Sequence, residues 1–229
     1  MAEFSYQLVE EVARELYIRA LKKLPPDVKD ALEKAYQKET NETAKGIFKT
    51  ILQNIKVAEE ENLLICQDTG LPIYFVTIGS KFPVDGAKVV KALTKGAERA
   101  TLEHPFRGSS THALTRINPQ TSVGDGLPVI HWDFDEEASH LEILMVPKGS
   151  GSENMSAMNM FIPADGVKAL KKYVLDRVIA SGSKPCPPGI IGVGIGGTSD
   201  LVTVLAKKAI VRPVGSVNPD PQLAQMEQE

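Results

Sequence analysis

The stretch LLICQDTGLPIYFVTIG, residues 63–79, marks the point where the sequence changes from a helical to a sheet pattern. Two short apolar runs, Leu63 to Ile65 and Ile73 to Ile78, flank a turn rich in Asp, Thr, Gly and Pro. Apolar runs of this length between turn residues are typical of buried strands. The pattern therefore predicts two strands, with Cys66 at the point where the first of them enters a loop.

The chain before this stretch carries helical patterns. Apolar residues recur at the spacing of an amphipathic helix over residues 6–24, and Pro25-Pro26 cannot continue that helix. Two further runs, over 26–38 and 44–58, show the same periodicity. We therefore expect the N-terminal part, residues 1 to about 60, to be helical.

Beyond the stretch, helical and strand patterns alternate. Helices are predicted over residues 87–102, 164–180 and 199–208. Alternating apolar residues predict a hairpin of strands 130–134 and 141–145, and a short apolar run at 189–193 indicates one more strand. Residues 105–125 have little periodicity and form a long polar loop of the kind that often carries function. The predicted fold class is α/β, with mixed helices and sheet.

Composition places the chain among ordinary folded proteins. Its 229 residues are 42% hydrophobic and 24% charged, with 26 basic and 29 acidic residues interspersed. Neither disorder nor a phosphate-binding surface for nucleic acid is expected from these values. No apolar run approaches the roughly 20 residues of a membrane span, no signal-peptide core is evident, and two cysteines cannot form a disulfide framework. We expect a cytoplasmic protein with no nucleic-acid or membrane partner.

Two cysteine motifs are candidates for chemistry. Cys66-Gln67-Asp68 sets a thiol, an amide and a carboxylate side by side. Cys186 lies among three prolines, a stiff setting that suits a metal ligand. From the residues alone, a buried cysteine before an Asp-Thr-Gly turn and a rigid connector explain the two motifs equally well. Two cysteines cannot by themselves complete an iron–sulfur site.

Glycine-rich segments and one arginine indicate further ligand contacts. Gly192 to Gly197 contains the G-x-G-x-x-G pattern of dinucleotide-binding proteins, but the next strand-like run leads into Arg212-Pro213 instead of an acidic residue. The glycines otherwise allow close backbone approach. Arg107 and the loop 149–154 could bind a carboxylate through a guanidinium fork and backbone N–H groups, although an arginine taken alone is more often a surface residue. The four histidines show no zinc-ligand spacing.

Three segments together resemble class I fumarases and, equally, tartrate dehydratase alpha subunits. They are Cys66 to Gly70, the loop Lys148 to Asn154 and the string Ser183 to Gly197. The resemblance covers nearly the whole chain and implies the fold of an iron–sulfur hydro-lyase alpha subunit. It also implies a 4Fe-4S cluster held by three cysteines, with Cys66 and Cys186 as two of these metal ligands and an open iron that acts as a Lewis acid.

The same resemblance implies roles for residues beside the cluster. Asp68 is expected to be catalytic and to bind substrate together with Gln67, Arg107 and Gly149. The implied substrate is a small dicarboxylate. The implied reaction is the reversible hydration of fumarate to malate, a step of the tricarboxylic acid cycle, and dehydration of tartrate is the alternative.

The resemblance further implies that this chain does not act alone. The family's third cysteine and a substrate-facing histidine belong to a further segment, so we expect residues 1–229 to be one alpha domain truncated at its C-terminus. A beta subunit supplies the base and further carboxylate-binding groups. This predicts a hetero-oligomer with homodimeric contacts and no appreciable activity of the chain alone. A dinucleotide-binding protein and a cluster-free interaction domain are the other hypotheses.

Overall fold

A computed structural model describes residues 4–229, and the first three residues of the predicted helical part lie outside the described residues. Residues 4–229 form eight α-helices, one 3-10 turn and three β-strands, which confirms the α/β class. In chain order the elements are α1 (Tyr6–Lys22), α2 (Pro26–Lys38), α3 (Glu42–Glu60), β1 (Leu71–Gly79), α4 (Gly86–Glu103), β2 (Val129–Asp135), β3 (Leu141–Lys148), α5 (Ser150–Glu153), the 3-10 turn (Pro163–Asp165), α6 (Gly166–Ser181), α7 (Ser199–Ile210) and α8 (Pro221–Gln228).

The predicted helices are confirmed, with ends that differ by no more than about two residues. Their starts are set by side chains that accept otherwise unpaired backbone N–H groups. Ser5 Oγ accepts from Leu8 N at the start of α1, and Asp85 Oδ1 accepts from Ala87 N and Lys88 N at the start of α4. None of the helices in residues 4–229 is both long and apolar enough to cross a membrane.

The chain divides into two compact units. The first joins the residues up to Leu24 with Gln53–Asn154, and the second joins Pro25–Leu52 with Met155–Glu229. In the first unit, β1 is the central strand of a sheet with the order β2-β1-β3. Strand β1 pairs parallel with β2 and antiparallel with β3.

The core of the first unit lies between this sheet and the helices α1 and α4. Tyr74 and Val76 alternate onto the covered face of β1, where they pack with Tyr17 of α1 and Leu93 of α4. The two helices approach closely at Gly96, where a Cβ would lie 2.5 Å from the carbonyl oxygen of Glu10. The loop that precedes β1 and the loop that follows β3 meet at one end of this sheet, where Leu71 pairs with Lys148.

The predicted strand at Leu63 to Ile65 is wrong. Its backbone groups bond to neighbouring helices instead of to a strand: Leu63 N donates to Ala58 O, and Ile65 N donates to Leu21 O at 2.9 Å. The carbonyl of Ile65 accepts from Asn54 Nδ2 at 2.8 Å. Because these groups are already satisfied, the segment is an extended link between α3 and the loop that precedes β1.

The predicted hairpin of residues 130–134 and 141–145 is also wrong, although both strands exist. Strands β2 and β3 lie on opposite sides of β1 and do not pair with each other. Their connection crosses the end of β1, where Gly79 N donates to His140 O at 3.0 Å and a side chain at Gly79 would collide with the backbone of Ala138. Alternating apolar and polar residues indicate a strand but not which strand pairs with it. The five-residue link between β2 and β3 therefore resembles a hairpin turn in the sequence.

The glycine-rich run of the second unit packs against α7. A Cβ at Gly194 would collide with the carbonyl oxygen of Val202, and one at Gly192 with that of Ala206. The predicted strand at 189–193 is wrong, because these residues form no ladder and instead lie along the helix. Close packing on α7 therefore explains these glycines, and the βαβ unit that a dinucleotide site requires is missing from residues 155–229.

Replacing Gly194 by alanine is expected to lower the free energy of unfolding by roughly 1–3 kcal/mol, since the added methyl group must push α7 away. Chemical denaturation monitored by circular dichroism measures this loss. The matched control is Gly189→Ala, because a Cβ at Gly189 meets nothing within 4 Å. Equal unfolding midpoints for the two variants would contradict the packing explanation.

Candidate active site

The loop from Cys66 to Gly70 is fixed from beneath by Tyr17 of α1. The Tyr17 hydroxyl lies 2.9 Å from Gly70 O, 3.2 Å from Thr69 O and 3.0 Å from Ser122 Oγ. Tyr17, Thr69 and Ser122 are fully buried. Burial raises the pKa of Tyr17 to about 12, so the phenol keeps its proton at neutral pH and donates it to this loop. These hydrogen bonds fix the position of the Thr69 and Gly70 backbone relative to α1.

Gly70 brings this loop against the end of β3. Its φ is +66°, a conformation that favours glycine, and a Cβ there would lie 2.8 Å from the carbonyl carbon of Lys148. The strand register continues from this point, with Leu71 opposite Lys148. The start of β1 therefore lies beside the end of β3. This brings Asp68, just before β1, next to Gly149 and Ser150, just after β3.

Asp68 occupies this meeting point, and its side chain joins two loops. Oδ2 accepts from the backbone N of Ser150 at 2.9 Å and from Ser150 Oγ at 3.0 Å. Oδ1 accepts from Gly70 N at 3.3 Å. Gly149 is adjacent, since a Cβ on it would lie 3.1 Å from Oδ2. The carboxylate is partly exposed, at 26%, so it remains reachable by a small molecule.

Arg107 faces the same carboxylate from the long loop 105–125. Its terminal nitrogen lies 3.8 Å from Asp68 Oδ1, and its side chain is 61% exposed. The backbone beneath is fixed, because Thr69 Oγ1 donates to the carbonyl of Arg107 at 2.6 Å. A guanidinium carries five N–H donors, so most of them remain available to a bound carboxylate.

The loop that carries Arg107 is ordered by its own contacts. Asn118 Nδ2 donates to Gly108 O at 2.9 Å, and Asn118 Oδ1 accepts from Gln120 N at 2.7 Å. A Cβ at Gly108 would lie 2.5 Å from the backbone of Gln120, so the two sides of the loop touch. This close packing holds the base of Arg107 in place.

Neither cysteine is joined in a disulfide. Cys66 and Cys186 are free and exposed. Asp68 N donates to Cys66 Sγ at 3.4 Å, the kind of hydrogen bond that iron–sulfur sites use to tune a bound thiolate. Within residues 4–229, no group of three or more His, Cys, Asp or Glu side chains is placed to hold a metal ion. Each thiol is thus available as a ligand, and residues 4–229 do not by themselves complete a metal site.

Comparison with known proteins decides the family. Residues 10–229 match the family described as Fumarate hydratase (Fumerase). The chain belongs to this fumarate hydratase family. The resemblance to class I fumarases and tartrate dehydratase alpha subunits is thereby confirmed, and the α/β fold is consistent with that family.

Similar proteins in this family are named as tartrate dehydratase subunits. A protein of Methanocaldococcus jannaschii, provisionally named L(+)-tartrate dehydratase subunit alpha, is 44% identical over 223 residues, which cover 96% of this chain and 78% of the relative. The L(+)-tartrate dehydratase subunit alpha of Escherichia coli O157:H7 is 32% identical over 205 residues, covering 90% of this chain and 67% of the relative. The protein of the same name from Escherichia coli strain K12 gives the same values.

These findings establish the enzyme class. The family and the names of the relatives both describe hydro-lyases, so this fumarate hydratase family chain is a subunit of a hydro-lyase. The relatives are named as alpha subunits, which implies that a beta subunit accompanies them.

All of the predicted site residues except Cys186 lie in the first unit. Cys66 and Arg107 each contact Asp68, and Gly149 lies against its Oδ2. Gln67 is exposed on the same loop. Cys186 belongs to the second unit, so the two predicted cluster ligands lie in different units.

Sequence reasoning missed Ser150 and Tyr17. Ser150 looked like an interruption of a glycine loop, whereas it is the residue that bonds to Asp68. Tyr17 is one of the buried residues of α1, and no sequence pattern distinguished it from its apolar neighbours. A single signal pointed to Ser150, namely a hydroxyl beside two glycines directly after a predicted strand.

Proposed function

We propose that this chain is the alpha subunit of an enzyme that reversibly hydrates fumarate to malate together with a beta subunit. The observation that carries the proposal is the grouping of a free thiol, a carboxylate and an exposed guanidinium at Cys66, Asp68 and Arg107. A dicarboxylate requires a cationic partner, and hydration requires a group that exchanges a proton. The family description supports fumarate as the substrate.

The cofactor of this proposal is a 4Fe-4S cluster held by Cys66 and Cys186. Both thiols are free, and the N–H of Asp68 already points at the first of them. A bound cluster would supply a Lewis acid for the substrate's hydroxyl and carboxylate oxygens. Since the sequence holds two cysteines, a third ligand is not a cysteine of this sequence.

The chain's own residues position the substrate. Arg107 receives one substrate carboxylate through its unused N–H donors, while the Gln67 amide and the backbone N–H of Gly149 provide neutral hydrogen bonds. The carboxylate of Asp68 lies between Arg107 and Gly149. The substrate is thus oriented before any bond changes, which is a large part of the rate enhancement that positioning can give.

Asp68 exchanges the proton of the water. In the hydration direction, Oδ1 of Asp68 accepts one proton as the oxygen of water bonds to carbon. The neighbouring carbon receives a proton from a group of the beta subunit. Asp68 then releases its proton to solvent and the beta-subunit group takes one up, so the net change is one water consumed for each malate formed. Dehydration reverses both transfers. The beta subunit is therefore required for turnover.

The proposal also covers location and domain organisation. Two free cysteines suit a reducing compartment, which supports a cytoplasmic enzyme. That residues 1–229 form one alpha domain, within a hetero-oligomer, remains a prediction.

A second candidate function is dehydration of L(+)-tartrate. The observation that favours it is the name shared by the relatives at 44% and 32% identity. The same groups would serve, because tartrate is also a four-carbon hydroxy dicarboxylate that loses water between two carboxylates. Substrate choice then depends on whether a second hydroxyl is accommodated.

The test compares three anaerobic preparations, each reconstituted with iron and sulfide: the full-length alpha subunit alone, the beta partner alone, and both together. Malate formation from fumarate and keto-acid formation from L(+)-tartrate are measured side by side. We expect turnover by the mixture and none by either part alone. Faster turnover of L(+)-tartrate would select the second candidate. Turnover of neither substrate by a cluster-loaded mixture would refute both, and turnover by the alpha subunit alone would refute the need for the beta subunit.

A further inference from the structure

Ser150 and Asp68 form a contact that the proposed function does not yet use. Ser150 follows Gly149 directly and donates two hydrogen bonds to a single oxygen of Asp68. We propose that Ser150 is a positioning residue, which occupies Oδ2 of Asp68 and leaves Oδ1 as the oxygen that faces the substrate beside Arg107. This inference rests on the proposed function of Asp68.

The hydrogen bonds distinguish the two oxygens of the carboxylate. A carboxylate oxygen accepts about two strong hydrogen bonds. Oδ2 has both, from the backbone N of Ser150 at 2.9 Å and from its Oγ at 3.0 Å. Oδ1 has one long bond, from Gly70 N at 3.3 Å. The free acceptor position of Asp68 is therefore on Oδ1.

Oδ1 also faces the group that would bind the substrate. The guanidinium of Arg107 lies 3.8 Å from Oδ1, too far for a strong hydrogen bond and close enough to leave both groups beside one ligand. A half-turn about χ2 would only exchange two equivalent oxygens. The two donors of Ser150 oppose a partial rotation, because it would break both of their bonds and turn the free oxygen away from Arg107.

Ser150 is itself held in place. Its position follows from the pairing of Leu71 with Lys148 at the end of β3. Its carbonyl accepts from Asn154 N at 2.9 Å, which closes the short helix α5. Lys148 Nζ donates to Ser152 Oγ at 2.6 Å and ties the same turn back to the strand. A hydroxyl on this rigid turn can fix the rotamer of a neighbour.

The variant Ser150→Ala removes the Oγ donor and keeps the backbone N–H. We expect kcat of the reconstituted enzyme with its beta partner to fall about tenfold, the worth of one hydrogen bond to a charged group. KM should change less than about twofold, because Arg107 still binds the substrate. Ser150→Thr keeps the hydroxyl and should restore most of kcat.

Two controls separate positioning from a general loss of structure. Ser152→Ala removes a hydroxyl of the same turn that bonds to Lys148 and to the Gly149 carbonyl but not to Asp68, so kcat should fall much less than in Ser150→Ala. In an Asp68→Asn background, Ser150→Ala should cause no further loss, because the residue acts through Asp68. Iron content is measured for every variant so that cluster loss is recognised.

The outcomes distinguish this inference from the proposed function. Wild-type turnover combined with an unchanged kcat for Ser150→Ala would overturn the inference alone. An equal loss in Ser150→Ala and Ser152→Ala, or a further loss in the Asp68→Asn background, would also overturn it. Absence of wild-type turnover on both fumarate and L(+)-tartrate would overturn the proposed function and this inference together.

Discussion

Replacing Cys66 by serine is expected to lower turnover of the enzyme assembled with its beta subunit roughly a thousandfold, since a Lewis acid supplies several kcal/mol of transition-state stabilisation. Serine matches the size of cysteine but is a poor ligand for iron in a cluster. Iron and acid-labile sulfide, visible absorption and initial rates on fumarate and L(+)-tartrate measure the effect.

Cys186→Ser is the partner experiment. Cys66 and Cys186 lie in different compact units, so a shared phenotype would show that both units serve one cofactor. Circular dichroism and the unfolding midpoint control for loss of fold, and we expect both to be retained because both side chains are exposed. A Cys186→Ser enzyme with full iron content and full activity would instead make its proline-rich loop a rigid connector.

Replacing Asp68 by asparagine is expected to lower kcat by about 10²–10⁴-fold, the usual contribution of a positioned acid or base. Asparagine keeps the shape of the side chain but cannot accept a proton. Because both groups of Ser150 donate, the asparagine amide is expected to place its oxygen, not its NH2 group, towards Ser150. Steady-state kinetics, with iron content as a check on the cluster, measures the loss.

The matched control is Asp165→Asn. Asp165 also carries an acceptor carboxylate, which receives a hydrogen bond from Ile162 N at 2.9 Å in the turn before α6, outside the candidate site. Its replacement should leave kcat near the wild-type value. If Asp68→Asn retained more than about half of the wild-type kcat, Asp68 would be a structural link between loops and the proposed proton transfer would be wrong.

The helices of this protein follow from its sequence because their determinants are local. Apolar spacing, Pro26 at the first turn of α2 and the caps Ser5 and Asp85 lie within a few residues of what they control. The strands β1, β2 and β3 were also predicted, but their pairing was not. Which strand lies beside which depends on contacts distant in sequence, and the crossing over Gly79 has no local signature.

The residues of the candidate site also divide into those that a local sequence motif identified and those that it did not. Cys66, Gln67 and Asp68 are consecutive, so one motif identified them together, whereas Arg107 and the loop 149–154 were predicted as a carboxylate-binding pair and the family resemblance singled out Gly149 within that loop. Ser150 escaped because its contact with Asp68 spans 82 residues and depends on strand register. Residues whose role is set by a distant partner are the ones that sequence patterns miss.

The pairing of Leu71 with Lys148 has a consequence for the order of folding. Helices α1 and α4 can form early from local contacts, whereas bringing Asp68 and Ser150, 82 residues apart in the sequence, together requires a costly loop closure. A slip of one residue along β3 would displace Ser150 by about 3.4 Å and separate it from Asp68. The reactive carboxylate is therefore aligned late, and only in molecules whose sheet has formed in the native register.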